Sequence, residues 1–93
     1  VADRFLLTAN VLTDDADLAL DAANSIAALI EGSRCIVIDR EAAPLAKTGI
    51  AYVAVTFLAA GDGEAADLRA RAERLPGLPP MDAVKTRVLK RNA

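Results

Sequence analysis

Cys35 is the only thiol in a chain that has no histidine, and those two counts remove several kinds of chemistry at once. A Ser-His or Cys-His nucleophile needs an imidazole to take its proton, and a zinc site of the usual kind needs several His or Cys ligands. Carboxylates are plentiful, but Asp14, Asp15 and Asp17 fall where a helix is expected to open. There a carboxylate satisfies free backbone N–H groups and meets the positive end of the helix dipole, so capping is favoured over a Ca²⁺ or Mg²⁺ site. Gly61-Asp62-Gly63-Glu64 is the one stretch that could approach a phosphate. It lacks a third glycine and the Lys-Ser/Thr pair, and its own acids repel phosphate, so it reads as a turn. No cofactor and no metal is expected.

The remaining polar groups of interest are Asn10, Tyr52, Thr56, Lys85 and Arg87. Tyr52 could donate a hydrogen bond while Lys85 or Arg87 pairs with a carboxylate or phenolate, so a small anionic molecule is a conceivable ligand. Turnover would need Tyr52 or a carboxylate as acid–base, and the balance leans away from an enzyme. A single-strand stacking platform uses several aromatics in basic surroundings; 3% aromatic residues and a net charge of -2 argue against nucleic acid.

These residues must be positioned by the elements around them. Residues 4–13 read as a strand, with Phe5, Leu7, Ala9 and Val11 on one face and Leu6, Thr8, Asn10 and Leu12 on the other. A helix follows to about Glu31, its buried stripe drawn from Leu18, Ala22, Ile26, Leu29 and Ile30 and its end set by Gly32. Residues 34–39 form a short β-branched strand, and 42–49, with Pro44 and Gly49, a connector. Ile50–Ala60 is a long apolar strand with Tyr52, Ala54, Thr56 and Leu58 on one face. Glu64–Leu75 makes a second helix. After Pro79-Pro80, residues 82–90 form a last strand, with Val84 and Val88 on one face and Lys85, Arg87 and Leu89 on the other.

The order β-α-β-β-α-β resembles the ferredoxin-like, split βαβ superfold. Right-handed crossovers then place both helices on one side of a four-stranded antiparallel sheet of order 4-1-3-2, and residues 1–93 make one domain. The first and third strands, the longest and most apolar, would be central. Helices on one side leave the other face without an intrachain cover. That face would carry Leu6, Thr8, Asn10, Leu12, Tyr52, Thr56, Leu58, Lys85, Arg87 and Leu89, a mixture half apolar and half polar.

Contiguous apolar side chains on a surface point to a partner. The chain is 54% hydrophobic with no Trp, so its core is built from aliphatic residues and alanine, and small thin cores lean on association. The sequence therefore predicts a non-enzymatic association module, either a homo-oligomer or a subunit bound to another protein. A binding enzyme or sensor of the dimeric α+β type is second and a nucleic-acid module third. No run of about 18 apolar residues is present, so no membrane span is expected, and the lone cysteine fits a reducing cytoplasm.

Overall fold

The computed structural model describes residues 2–92. Its elements are β1 (Asp3–Val11), α1 (Ala16–Gly32), β2 (Ile36–Leu45), β3 (Ile50–Ala59), α2 (Asp62–Ala72) and β4 (Met81–Lys90). The four strands form one antiparallel sheet of order β2-β3-β1-β4, the ferredoxin-like arrangement that the element order implies, with β1 and β3 central.

Local chemistry accounts for the ends of α1. The Asp15 carboxylate accepts from the Asp17 N–H at 2.8 Å and the Leu18 N–H at 3.3 Å, so the acidic opening is a cap. At the other end the chain turns through Arg34, at φ 65, and not at Gly32, which stays helical. The Arg34 N–H donates to the Glu31 carbonyl and the Cys35 N–H to the Ile30 carbonyl, a Schellman ending with a non-glycine residue in the left-handed position.

The buried stripe of α1 is Ala19, Ala22, Ala23, Ile26, Ala27 and Ile30. Leu18, expected within it, is 42% exposed, because at 100° per residue it falls on the flank of a stripe centred on the alanines. More than half of the buried side chains among the described residues are alanine, which brings α1 close to β2 and β3 while α2 lies toward β4. Bulk comes from Phe5 and Phe57, paired across β1 and β3 with ring centroids 5.8 Å apart and planes at 24°. Offset stacking of this kind adds to what burial alone provides.

The largest departure from the sequence reading is β2. It continues through the expected connector to Leu45, pairing Pro44 with Ala51 and Leu45 with Ile50. Proline is tolerated because β2 is an edge strand, where a missing N–H on the outer side removes no ladder bond. The hairpin loop is thereby cut to residues 46–49. It is closed by the Thr48 hydroxyl donating to the Leu45 carbonyl at 2.9 Å, with Gly49 at φ 68.

Smaller shifts occur elsewhere. β1 stops at Val11, so Leu12 lies in the bend beyond it, its N–H donating to the Pro80 carbonyl. α2 begins at Asp62 and ends at Ala72, which leaves Leu75 half-buried in the following turn. β4 carries two bulges against β1, one where Ala83 and Val84 oppose Ala9 and one at Leu89.

Candidate functional site: the open sheet face

Residues paired directly across antiparallel strands share a face, so the register lays out the uncovered side row by row from β2 through β3 and β1 to β4. The first row is Ile36, Leu58, Arg4 and Lys90; the second is Asp39, Thr56, Leu6 and Arg87. The third is Glu41, Ala54, Thr8 and Lys85, and the fourth is Ala43, Tyr52, Asn10 and Asp82. The opposite parity, Phe5, Leu7, Ala9 and Val11 on β1 with Val53, Val55 and Phe57 on β3, is buried under the helices.

Eight of the ten residues expected on this face are brought together on it: Leu6, Thr8, Asn10, Tyr52, Thr56, Leu58, Lys85 and Arg87. The other two are not. Leu12 is past the end of its strand, and Leu89 is the extra residue of a bulge, 41% exposed. The bulge at Ala83, with φ 50, has a second effect. It returns the strand to phase so that Asp82 and Lys85, three residues apart, face the same side.

Sequence reasoning missed β2's contribution, which is Ile36, Asp39, Glu41 and Ala43 and includes both acids. The orientation of Asp39 and Glu41 has an independent check in Arg40 between them. Arg40 points to the helix side, where its guanidinium donates to Asn24 Oδ1 at 3.2 Å and lies 3.6 Å from Glu31 Oε1. The signal that could have revealed β2's length was β3 itself, since a ten-residue central strand joined by a short hairpin needs a partner of similar length.

Charge on the face is divided by edge. In the second and third rows β2 presents Asp39 and Glu41 while β4 presents Arg87 and Lys85, with only uncharged residues between. Among the described residues none of these four makes an intrachain ion pair, whereas Arg40, Arg69, Arg71 and Arg91 all do. Arg91, at the basic C-terminus, meets Asp62 at 3.1 Å and Asp3 at 3.6 Å, which ties the chain end to α2 and β1.

A shallow depression of about 300 Å³ lies between β1, β3 and β4, lined by Leu6, Thr8, Tyr52, Lys85, Thr86 and Arg87. It gathers the tyrosine and both cations, but Asn10 is outside it. Away from the face, the Cys35 thiol donates to Glu64 Oε1 at 3.1 Å, and the same oxygen accepts from the Ala60 N–H at 3.0 Å. Burial, then the hydrogen bond and the negative charge of Glu64, push the thiol up to about 11. The Ala60 N–H and the thiol hold the Glu64 carboxyl below its ordinary value. Cys35 is thus a poorly nucleophilic thiol. Among the described residues no cluster of three metal-ligating side chains forms and no helix is long and apolar enough to cross a membrane.

Comparison with solved structures places the chain in a fold class shared by proteins of low sequence similarity. The solution structure of the C-terminal domain of the MgtC protein from Mycobacterium tuberculosis matches with a TM-score of 0.70 at 11% identity, over 99% of this chain and 93% of that one. The uncharacterized protein TM1266 from Thermotoga maritima matches with a TM-score of 0.62 at 19% identity, over 97% of this chain and 100% of that one. At such identities the likeness is one of fold. No protein-family model and no curated protein matches the sequence.

Proposed function

We propose that the protein is a non-enzymatic association module that binds a protein surface with its open sheet face, a second copy being the foremost candidate. The observation that carries this reading is the composition of the face. Leu6, Tyr52 and Leu58 lie half-buried on the two central strands among Arg4, Thr8, Asn10 and Thr56, and Ile36, 62% exposed, adds an apolar side chain at the β2 edge. Large apolar side chains on a sheet face that no helix covers mark an interaction site, and a core rich in alanine gains from a partner that covers it.

Sedimentation equilibrium tests the proposal. The parent chain is expected to dimerise in the micromolar range, and Leu6→Glu with Tyr52→Glu, which buries charge in the middle of the face, to return it to monomer. An oligomer indifferent to both substitutions, or a parent that stays monomeric, overturns the reading.

A second reading has the depression beside Tyr52 taking a small anionic molecule. Its volume is at the lower limit of ordinary ligand sites, and two cations beside a phenol suit a carboxylate. Calorimetry with an aromatic carboxylate, repeated on Arg87→Ala, tests it; absence of heat in the parent rejects it.

A further inference from the structure

We infer that two copies pack face to face about a two-fold axis that runs parallel to the strands between β1 and β3, so that Asp39 and Glu41 of each copy meet Arg87 and Lys85 of the other. This rests on the open face being an association surface and adds the partner and its orientation.

A second copy can cover a sheet face with strands roughly aligned in two ways. If the two-fold runs parallel to the strands, left and right exchange: β2 lies over the partner's β4, and β3 over the partner's β1. A pure rotation moves nothing along its own axis, so every row stays level with itself. Asp39 then stands over Arg87 and Glu41 over Lys85. In the middle, Thr56 covers Leu6, Ala54 covers Thr8, and Tyr52 covers Asn10, whose amide can accept the phenol's hydrogen bond. The other charges of the face, Arg4, Lys90 and Asp82, come over Leu58, Ile36 and Ala43, so no like charges are opposed.

If the two-fold instead crosses the strands at right angles within the face, β2 lies over β2 and the rows reverse. Asp39 is then set against Glu41, and Arg87 against Lys85. Rows one and four then set Lys90 against Asp82 and Leu58 against Tyr52, but the four like-charge contacts outnumber the two Lys90–Asp82 pairs, so charge selects the first axis.

The sizes agree. Stacked sheets lie about 10 Å apart, a gap that an Arg or Lys side chain and a carboxylate span together. Four strands of nine or ten residues cover roughly 19 Å by 30 Å, on the order of 600 Å² in projection. The corrugated accessible area is larger, near the ~800 Å² per partner of a standard interface. The four cross-pairs stand at the rim, where they orient the partner, and burial of Leu6, Tyr52, Leu58 and Ile36 supplies the affinity.

The test exchanges charges between the edges. Asp39→Lys with Glu41→Lys makes both edges basic, and Lys85→Glu with Arg87→Glu makes both acidic. Each double variant alone should dimerise at least tenfold more weakly than the parent. An equimolar mixture should form heterodimer with near-parental affinity, and a chain carrying all four substitutions should self-associate again. All four positions are exposed strand residues, and circular dichroism checks that each variant folds; should a double variant not fold, the fourfold variant still decides, since it should self-associate yet refuse to pair with the parent.

If Leu6→Glu with Tyr52→Glu dissociates the parent but the fourfold variant forms a mixed dimer with the parent in preference to either homodimer, or the double variants alone dimerise as the parent does, the face is an interface with a different axis and this inference falls alone. An oligomer insensitive to the face substitutions, or a monomeric parent, removes the inference together with the reading it rests on.

Discussion

Asp39 and Arg87 stand in one row of the sheet at opposite edges, Asp39 paired with Thr56 on β3 and Arg87 with Leu6 on β1. Three strand spacings of about 4.8 Å separate their backbones by roughly 14 Å. At that distance across a solvated face they hardly attract each other within one chain, since the Debye length is about 10 Å at 0.1 M salt. Glu41 and Lys85 repeat the relationship one row further on. The face thus carries an acidic and a basic edge that act separately toward solvent and that a second copy, paired as proposed, would bring together.

Self-association should therefore depend on ionic strength. The dissociation constant is expected to rise several-fold between about 0.05 and 0.5 M salt. In Lys85→Ala with Arg87→Ala the dependence should flatten, with dimerisation weakened most at low salt. Sedimentation equilibrium across a salt series measures this. Dimerisation that strengthens steadily with salt in parent and variant alike would assign the contact to apolar surface without an electrostatic component.

The two faces of β1 should respond unequally to truncation. Leu7 is fully buried under the helices, and Leu7→Ala is expected to cost about 2 to 5 kcal/mol as the cavity goes unfilled. Leu6, its neighbour on the open face, should cost less than about 1 kcal/mol when truncated at dilutions where the chain is monomeric. Urea unfolding of both variants decides it; equal losses would contradict the assigned parity.

That parity was legible in the sequence because alternation in a strand is local: Phe5, Leu7, Ala9 and Val11 are apolar throughout, whereas Leu6 shares its face with Thr8 and Asn10. The extent of β2 was not. Pro44 and Gly49 are loop residues by propensity, and only pairing with β3 makes Ala42–Leu45 a strand. Glu41 was absent from the candidate face because β2 was cut short, and Asp39 because a bulge between Val37 and Asp39 resets the strand's phase, so the face looked basic along one edge instead of divided between two. Leu12 and Leu89 were misplaced for a related reason, since a strand end and a bulge depend on the neighbouring strand's register.

The two ends of α1 offer changes of opposite sign. Asp15→Ala removes the acceptor for the Asp17 and Leu18 N–H groups and should cost about 1 kcal/mol. Asp14→Ala, which removes no capping bond, should cost little. Arg34 holds a left-handed conformation at φ 65 that an L side chain adopts at a penalty, and Arg34→Gly should raise stability by about 0.5 to 1 kcal/mol. Thermal unfolding of the three variants gives the order. A loss in Arg34→Gly would mean that its side chain contributes more than the backbone strain costs.

The Cys35–Glu64 contact should be visible in titration from both sides. The thiol's folded value of about 11 lies above its ordinary 9.0, so its contribution to stability is complete below about 9 and is lost as pH rises through the folded value. Glu64 is shifted the other way. Its contribution is present above the ordinary carboxylate value and disappears as pH falls through the depressed one. Iodoacetamide should therefore alkylate Cys35 slowly near neutral pH, because the thiolate fraction is small. Glu64→Gln removes the negative charge that opposes ionisation, and alkylation should accelerate several-fold while the acid limb of the stability profile flattens. A rate unchanged by that substitution would leave burial as the sole cause of the raised thiol value.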